Sequence, residues 1–556
     1  MERMVRVNFR DKVLKEYPAG TKLKDVAADF KEYFNYKILI AKVDNELTPL
    51  ETELVRKCDI DFYDRSSSVG NAIYTRSLQF VLVLAVRRLL GKDAKVLIEH
   101  SIDKGVYIEI DNVGENVINK NTIKEIGKTM DEIIAEDLIF TKVNVLRKDA
   151  IKYFKSEHKE DKVRVFKYIS NSFVSLYRID DIYDYFYGSL ANSTSLLDDY
   201  KLTYIADNGF VLSAPTIYNP ECTYNYIHHK KLFDKFAEYT KWGRCIGINN
   251  ATDLNESVSK GKYGELIRLA EAYYDSQLTR IADQVYENKD NIKIILIAGP
   301  SSSGKTTTAK KLQTYLGSKG IKTHPIGMDD YYVNRVDNPK DANGDYDFEC
   351  IEALDLKLFN KNLSKLLDGG KIDVPEFNFV TGEREYHGKT MSLDKDEIII
   401  VEGIHALNDR LTASIEKRYK FKVYISPLTQ LNIDNHNRIF TSDTRLLRRI
   451  VRDSRTRGYT AEETLKRWAK VRAGEEKYIF PFQDSTDTMV NSAMIYEIGV
   501  LKVYAEPLLF SVPEDSDVYP EARRLINFLR NFLPIPADQI PINSVLREFV
   551  GGSCYE

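Results

Sequence analysis

Residues 292–307 read IKIILIAGPSSSGKTT. The first seven form a near-continuous apolar run of strand length, which fits a strand buried on both faces of a parallel sheet. The next eight, Gly299-Pro300-Ser301-Ser302-Ser303-Gly304-Lys305-Thr306, match G-x-x-x-x-G-K-[ST] without a gap. The chemistry needs each part. Glycines let the backbone curl so that several N–H groups converge on phosphate oxygens. Lys305 brings a point charge to the β- and γ-phosphates, and the Thr306 hydroxyl is a ligand for Mg2+. A helix expected over Thr307 to Leu316 aims its positive end at the same anion, with Gly317 as its C-cap. The expected cofactors are therefore ATP and Mg2+, held by Gly299, Ser301, Ser302, Ser303, Gly304, Lys305, Thr306 and Thr307. The bland alternative is a Ser/Gly turn with a capping threonine.

Working outward, KTHPIG, EIIIVEG and FKVYIS are further buried-strand runs alternating with helices, so an α/β unit with a parallel sheet is expected over 286–505. KTHPIG leads into Met328-Asp329-Asp330-Tyr331-Tyr332, and ligands of such sheets bind outside the carboxyl ends of the strands. Asp329 there accepts a proton from an attacking hydroxyl, holds a metal through water, or caps a turn. EIIIV leads into Glu402-Gly403-Ile404-His405, which places Glu402 where a carboxylate orders Mg2+. His405 reads as a partly buried polar residue. Seven arginines lie between Arg438 and Arg457, and Arg445, Arg448, Arg449, Arg452 and Arg455 recur at helical spacing as one face. Three readings compete: a solvated face, an RNA-binding stripe, and a lid whose guanidinium groups neutralise charge on a transferring phosphoryl group. The lid fits best downstream of a phosphate loop and its acids.

The chain has 556 residues, which suggests three or four domains. With 43% hydrophobic and 29% charged residues it reads as globular, and the net charge of -3 argues against a globally basic nucleic-acid coat. Cys58, Cys222, Cys245, Cys350 and Cys554 are scattered, with no CxxC or Cys/His cluster, so no zinc and a reducing, cytoplasmic compartment are expected. The start MERMVRVNFRDK has no apolar signal core, and the greasy stretch Phe80 to Val86 is too short to cross a bilayer. Residues 1–65 read as a small α+β unit with strands VRVNF, KILIAKVD and CDIDFYD, and Thr21 is placed to cap a helix near Leu23. Residues 66–215 are mixed α and β, with a helix over Tyr74 to Leu90 and a strand pair turning at Asp103-Lys104-Gly105. Residues 216–285 read as a packed helical connector, poor in Gly, Ser and Pro. Residues 506–556 form a C-terminal extension with one helix from Glu521 to Phe532.

Taken in order, GPSSSGKTT, MDDYY, YDFECIEALD, VPEFNFVTGER, VEGIHAL and RRIVRDSRTRG resemble the uridine kinase/phosphoribulokinase family over roughly residues 290–500. The resemblance implies an ATP-dependent kinase acting on a hydroxyl of a nucleoside-like molecule, with catalytic roles for Lys305, Asp329, Arg449 and Arg452. It implies substrate contacts from Asp329, Tyr332, Glu349, Phe377, Arg449 and Arg452, and Mg2+ held by Thr306, Glu402 and Asp329. The departures fall on the acceptor side. Family uridine kinases carry Asp at Glu349, Tyr and His at Phe377 and Gly382, and Arg and Gln at Tyr459 and Arg467. A site without its base-reading groups does not discriminate by leaving polar groups unpaired. The acceptor therefore stays open between a nucleoside and, through Arg384 and Arg467, a sugar phosphate as in phosphoribulokinase. Residues 1–65 are similar to the β-grasp TGS domain, and 66–215 resemble the editing module of threonyl- and alanyl-tRNA synthetases. Where that module has two helix histidines this chain has Arg76 and Phe80, and YFYGSLANSTS lacks the later Cys and His. That implies no zinc, no deacylation, and a front half kept as a binding or regulatory module; a rival reading is an RNA-binding protein in which the phosphate loop acts as a nucleotide-dependent switch, and a homo-oligomer stays open. The order of parts and the ending INSVLREFVGGS are similar to a bacterial group of long uridine-kinase-like nucleoside kinases.

Overall fold

A computed structural model describes residues 3–10, 13–114, 117–340, 344, 346–378 and 381–555. Part of the VPEFNFVTGER motif, Phe379 and Val380, lies outside them. The phosphate loop grows from a five-stranded sheet. Its strands are β1 (Ile294–Ala298), β2 (Thr323–Gly327), β3 (Ile398–Glu402), β4 (Lys420–Ser426) and β5 (Thr488–Asn491). They run parallel in the spatial order β2-β3-β1-β4-β5. β1 is central and buried throughout because its two faces feed two cores. Ile295 and Ile297 pack with Leu278, Ile281, Leu312 and Ile425. Ile294, Leu296 and Ala298 pack with Ile326, Phe359, Val401 and Leu407. Period-2 side-chain alternation with both faces covered is why the sequence shows an unbroken apolar run rather than an alternating one. β5 is short and carries no comparable run, so the sequence does not announce it.

The helix after the loop, α1 (Lys305–Ser318), starts two residues earlier than expected, since the P-loop itself ends at the helix N-terminus. Gly317 lies inside the helix. The left-handed C-terminal residue is Gly320, at φ +79°. Helix Tyr263–Glu287 covers one face of the sheet through Ile267, Tyr274, Leu278 and Ile281. The helical stretch before the sheet is thus a layer of the same core.

Residues 4–63 form a five-stranded mixed sheet in which Met4–Phe9 and Cys58–Tyr63 are parallel neighbours at the centre, with Phe9 opposite Ile60. Val5, Val7 and Phe9 point inward onto helix Leu23–Ala28 through Val26 and Phe30. Thr21 does not cap that helix. The N-cap is Lys22, and the Thr21 hydroxyl donates to the Pro18 carbonyl at 2.7 Å. Residues 68–213 hold a four-stranded and a three-stranded antiparallel sheet around helix Ser68–Leu90. That helix extends well beyond the greasy heptad. It is long and apolar enough to cross a membrane by length and composition, and 78% of its most apolar stretch is buried against its own chain.

The front half is joined to the kinase unit by a buried ion cluster. Lys162 Nζ reaches Asp184 Oδ1 and Asp434 Oδ1 at 2.8 Å each, and Asp184 also receives His436 Nδ1 at 2.5 Å. Burial alone would lower the Lys162 pKa, and the two carboxylates reverse it to a net rise. Burial alone would raise Asp184, and Lys162 and His436 reverse it to well below the usual range. Lys162→Met leaves two buried carboxylates facing each other, so it should lower unfolding stability by about 3–5 kcal/mol. Denaturant melts at pH 7 measure it, and a loss below 1 kcal/mol sinks the assignment. Asp184 is depressed in the folded state. Its contribution is therefore present above the ordinary Asp pKa and disappears as pH falls towards the folded value, so the junction weakens in acid.

Candidate active site

Gly299 sits where a Cβ would lie 2.0 Å from the Ile425 carbonyl oxygen, so only glycine lets β1 leave the sheet beside β4. Ser302 and Gly304 adopt left-handed φ of 60° and 84°, which turns the chain so that its amides face inward. The carbonyl side is held from behind. Arg445 donates to Ser301 O and Arg448 to Ser302 O, both at 3.3 Å, and Ser492 Oγ donates to Ser303 O at 2.6 Å. Arg445 and Arg448 are themselves fully buried, paired with Glu475 and Glu497. Clamped carbonyls leave the amides pre-aimed at an anion.

The five arginines expected on one face therefore do not form one. On helix α2 (Thr441–Thr456), Arg445 and Arg448 are structural props under the loop. Arg449 and Arg452 stay half-buried, both held by the buried carboxylate of Asp453, at 3.2 and 2.8 Å. Arg449 also donates to Ser301 Oγ at 2.8 Å. A fully solvated stripe is excluded by this burial, and of the two arginines that the family resemblance names as lid residues, Arg449 reaches the loop while Arg452 is held by Asp453.

The acids meet at the strand ends. Gly327, the last residue of β2, pairs with Glu402, the last of β3, so Asp329 and Glu402 leave adjacent strands at one edge. Thr306 Oγ1 donates to Glu402 Oε1 at 2.9 Å. Asp329 keeps one side open to the cleft while protein crowds it elsewhere. That crowding raises its pKa, with Lys305 and Arg457 pulling back. Glu402 is likewise raised, first by crowding, with Lys305 opposing and Asp329 adding. Carboxylates sharing one lysine want a further cation. A hydroxyl and a carboxylate in contact, with a second carboxylate close by, form an all-oxygen donor set that suits Mg2+. Among the described residues no three His, Cys, Asp or Glu side chains cluster tightly enough to hold a metal alone. Mg2+ commonly takes one or two carboxylates together with substrate phosphates.

On the acceptor side, Tyr332 and Phe377 meet edge to face at 5.5 Å, and Tyr332 donates to Phe348 O at 3.2 Å. Glu349 faces Arg449 and Lys305. Burial raises its pKa and those cations offset part of the rise. His405 is buried, which lowers it to about 4 and keeps the ring neutral at pH 7.

Two carboxylates come from places the sequence reading passed over. Glu475 Oε1 accepts the Ser301 amide at 3.0 Å. Glu548, from the C-terminal extension, accepts the Thr307 amide at 3.3 Å and the Thr307 hydroxyl at 2.7 Å. The extension is fastened there: Val545 fills the space beside Gly304, and Arg455 donates to Glu548 O at 3.1 Å. Glu475 belongs to none of the quoted motifs, Glu548 lies in the ending INSVLREFVGGS to which no site role was given, and each arrives from more than 150 residues away. Glu548 holds an anion in the first turn of α1, where a triphosphate has the same preference. Glu548→Gln should therefore lower the KM for ATP about tenfold with kcat little changed. Steady-state kinetics decide it, and an unchanged or raised KM refutes competition at this turn.

A parallel sheet of order 2-3-1-4-5, a clamped phosphate loop on its central strand and an Mg2+-suited pair at the strand ends define a P-loop phosphotransferase unit. The model of the phosphoribulokinase/uridine kinase family matches residues 294–498. A uridine kinase of Borrelia duttonii is 30% identical over 207 residues, 36% of this chain and 86% of that protein. A uridine kinase of Deinococcus deserti is 27% identical over 198 residues, 35% of this chain and 86% of that protein. The chain belongs to the phosphoribulokinase/uridine kinase family. It is also similar to a threonine–tRNA ligase of Desulforamulus reducens, 28% identical over 204 residues, which is 36% of this chain and only 32% of the ligase.

Proposed function

We propose that this protein transfers the γ-phosphoryl group of ATP to a hydroxyl of a nucleoside. The carrying observation is the Thr306–Glu402 contact at the edge where Asp329 emerges, which supports reading the loop as a phosphate cradle, the contact as an Mg2+-suited pair and Asp329 as the proton acceptor. The loop amides and Lys305 bind the β- and γ-phosphates. Thr306 and Glu402, with Asp329 close by, would hold Mg2+, which supplies charge neutralisation on the phosphates when bound. Asp329 takes the proton of the acceptor hydroxyl, and its raised pKa suits a base better than an ordinary aspartate would. Arg449 and Arg452 close on the transferring group and stabilise its spreading charge. Tyr332 and Phe377 supply an aromatic wall for a base, and Glu349 accepts ribose hydroxyls.

Two observations weigh against a sugar-phosphate acceptor. Arg384 is paired with Asp355 at 3.1 Å, and Arg467 lies over the Tyr459 ring at 4.1 Å. For the front half we read residues 1–65 as a TGS-like β-grasp, which the central parallel strand pair supports. We read 66–215 as an editing-like module without its chemistry. The ligase similarity supports that reading, as do Arg76 and Phe80, which are buried where histidines would stand. The test is transfer of labelled phosphate from ATP by purified protein to uridine, cytidine, adenosine, guanosine and ribulose 5-phosphate. A nucleoside product is expected. Transfer only to the sugar phosphate, or hydrolysis of ATP with no acceptor used, would overturn the reading.

A further inference from the structure

Between the front half, helix α2 and the C-terminal helix Tyr519–Leu529 lies a cavity of about 1710 Å³. Ten lysines and arginines line it against six carboxylates, in a chain of net charge -3. Two of the arginines are unusual. Arg76 is 7% exposed and Arg438 8% exposed, yet among the described residues neither is ion-paired with a carboxylate. Arg76 donates to the Ser189 carbonyl at 2.7 Å, and Arg438 to the Ser101 hydroxyl. The Arg438 Nε is buried with no partner at all. Each guanidinium leans on a ring, Arg438 over Phe440 at 4.1 Å and Arg76 over Tyr187 at 5.6 Å. Asp443 lies close enough to favour the Arg438 charge, but its carboxylate is held by both guanidinium nitrogens of Arg524 at 2.7 and 2.8 Å. Burial, above all, lowers both guanidinium pKa values, Arg438 to about 10, and Arg76 adds to the effect on Arg438.

Burying two like charges within each other's field without a paired counter-charge is unfavourable, because desolvation is not repaid by attraction. Among the described residues the other buried cations have acids: Lys162, Lys311, Arg445 and Arg448 each do. The missing partner at Arg76 and Arg438 is an anion that comes from outside. We propose that this cavity binds a small phosphate ester, with its phosphate between Arg76 and Arg438. Guanidinium forks match phosphate oxygens in pairs, which ammonium groups do not. The rings of Tyr187, Phe440 and Trp468 on the same walls suit a flat base attached to that phosphate, so a nucleotide is the fitting class. The site also touches the machinery. Arg438 stands three residues before α2, the helix that carries Arg445, Arg448 and Arg449 to the loop. Occupancy at Arg438 therefore bears on one end of the rod whose other turns brace the phosphate cradle.

The experiment uses the full chain carrying Lys305→Ala, so that the phosphate loop does not dominate, and melts it in phosphate-free buffer with inorganic phosphate, UMP and AMP. Saturable stabilisation by a nucleotide is expected in both this protein and the unmodified one. It should be lost when Arg76→Met or Arg438→Met is added. Each methionine variant should also melt at or above its parent without ligand, because an unpaired buried charge has gone. Four results overturn the proposal: no response to any probe at millimolar concentration, response to inorganic phosphate alone, a response unchanged by the methionine variants, or a lost response accompanied by a lower melting point. The last is what mere structural struts would give. Retention of RNA with no response to mononucleotides would assign the cavity to a different occupant and also overturn it. None of these readouts depends on phosphotransfer.

Discussion

Lys305→Ala should lower kcat/KM for ATP-dependent transfer by about 10³-fold or more, with the deficit in both kcat and KM. The group does two things at once. It carries positive charge to the phosphates in a partly water-excluded cleft, where a preorganised charge is worth about 3–4 kcal/mol in the transition state. It also offsets crowding at Asp329, Glu402 and Glu349, whose carboxylates all sit in its field. Without it those pKa values rise further, and the proton acceptor and the Mg2+ pair both weaken. The Nζ donates to the Gly299 carbonyl at 3.0 Å and the Pro300 carbonyl at 3.3 Å, so alanine strands no buried acid-paired partner and the fold should survive. Rates within tenfold of the parent, in protein with an unchanged melt, would remove the loop from the mechanism.

Asp329→Asn is the sharper test of the chemistry. The amide keeps the shape but cannot take a proton at neutral pH, so kcat should fall about 10²–10⁴-fold. The KM for ATP should move little, because the phosphates are held by residues 299–307. Removing one of two acids that repel each other should also leave the unliganded protein at least as stable as before. A drop in kcat accompanied by a lower melting temperature would point to lost structure instead. An unchanged kcat would transfer the base role elsewhere.

How much of this is legible in the chain depends on the range of the forces involved. The loop, its strand and helix, and the acids after β2 and β3 are local features. Glycine spacing, an apolar run and an acid at a strand end are each fixed within a dozen residues, and the sheet edge gathers them automatically. The arginines of α2 show the opposite. Their spacing reads as one face, yet Arg445 and Arg448 point into the protein because Glu475 and Glu497, 30 and 49 residues on, neutralise them there. Burial of a charge is decided by its partner, and nothing near Arg445 names that partner. β5, the Lys22 cap and the internal Gly317 are smaller cases in which packing overrode a local propensity.

By itself the sequence determined that a phosphate-loop motif follows β1 and that acids stand at the ends of β2 and β3 on the same sheet edge. A parallel sheet of buried apolar strands has only one end at which such residues collect. Tertiary structure alone decided which charges serve the site and which hold it up. It also brought Glu548 from the far end of the chain onto the first turn of α1, and it left Arg76 and Arg438 buried at a cavity with no carboxylate of the described residues paired to either. Those outcomes turn on desolvation and on contacts across hundreds of residues, and both exist only once the chain is folded.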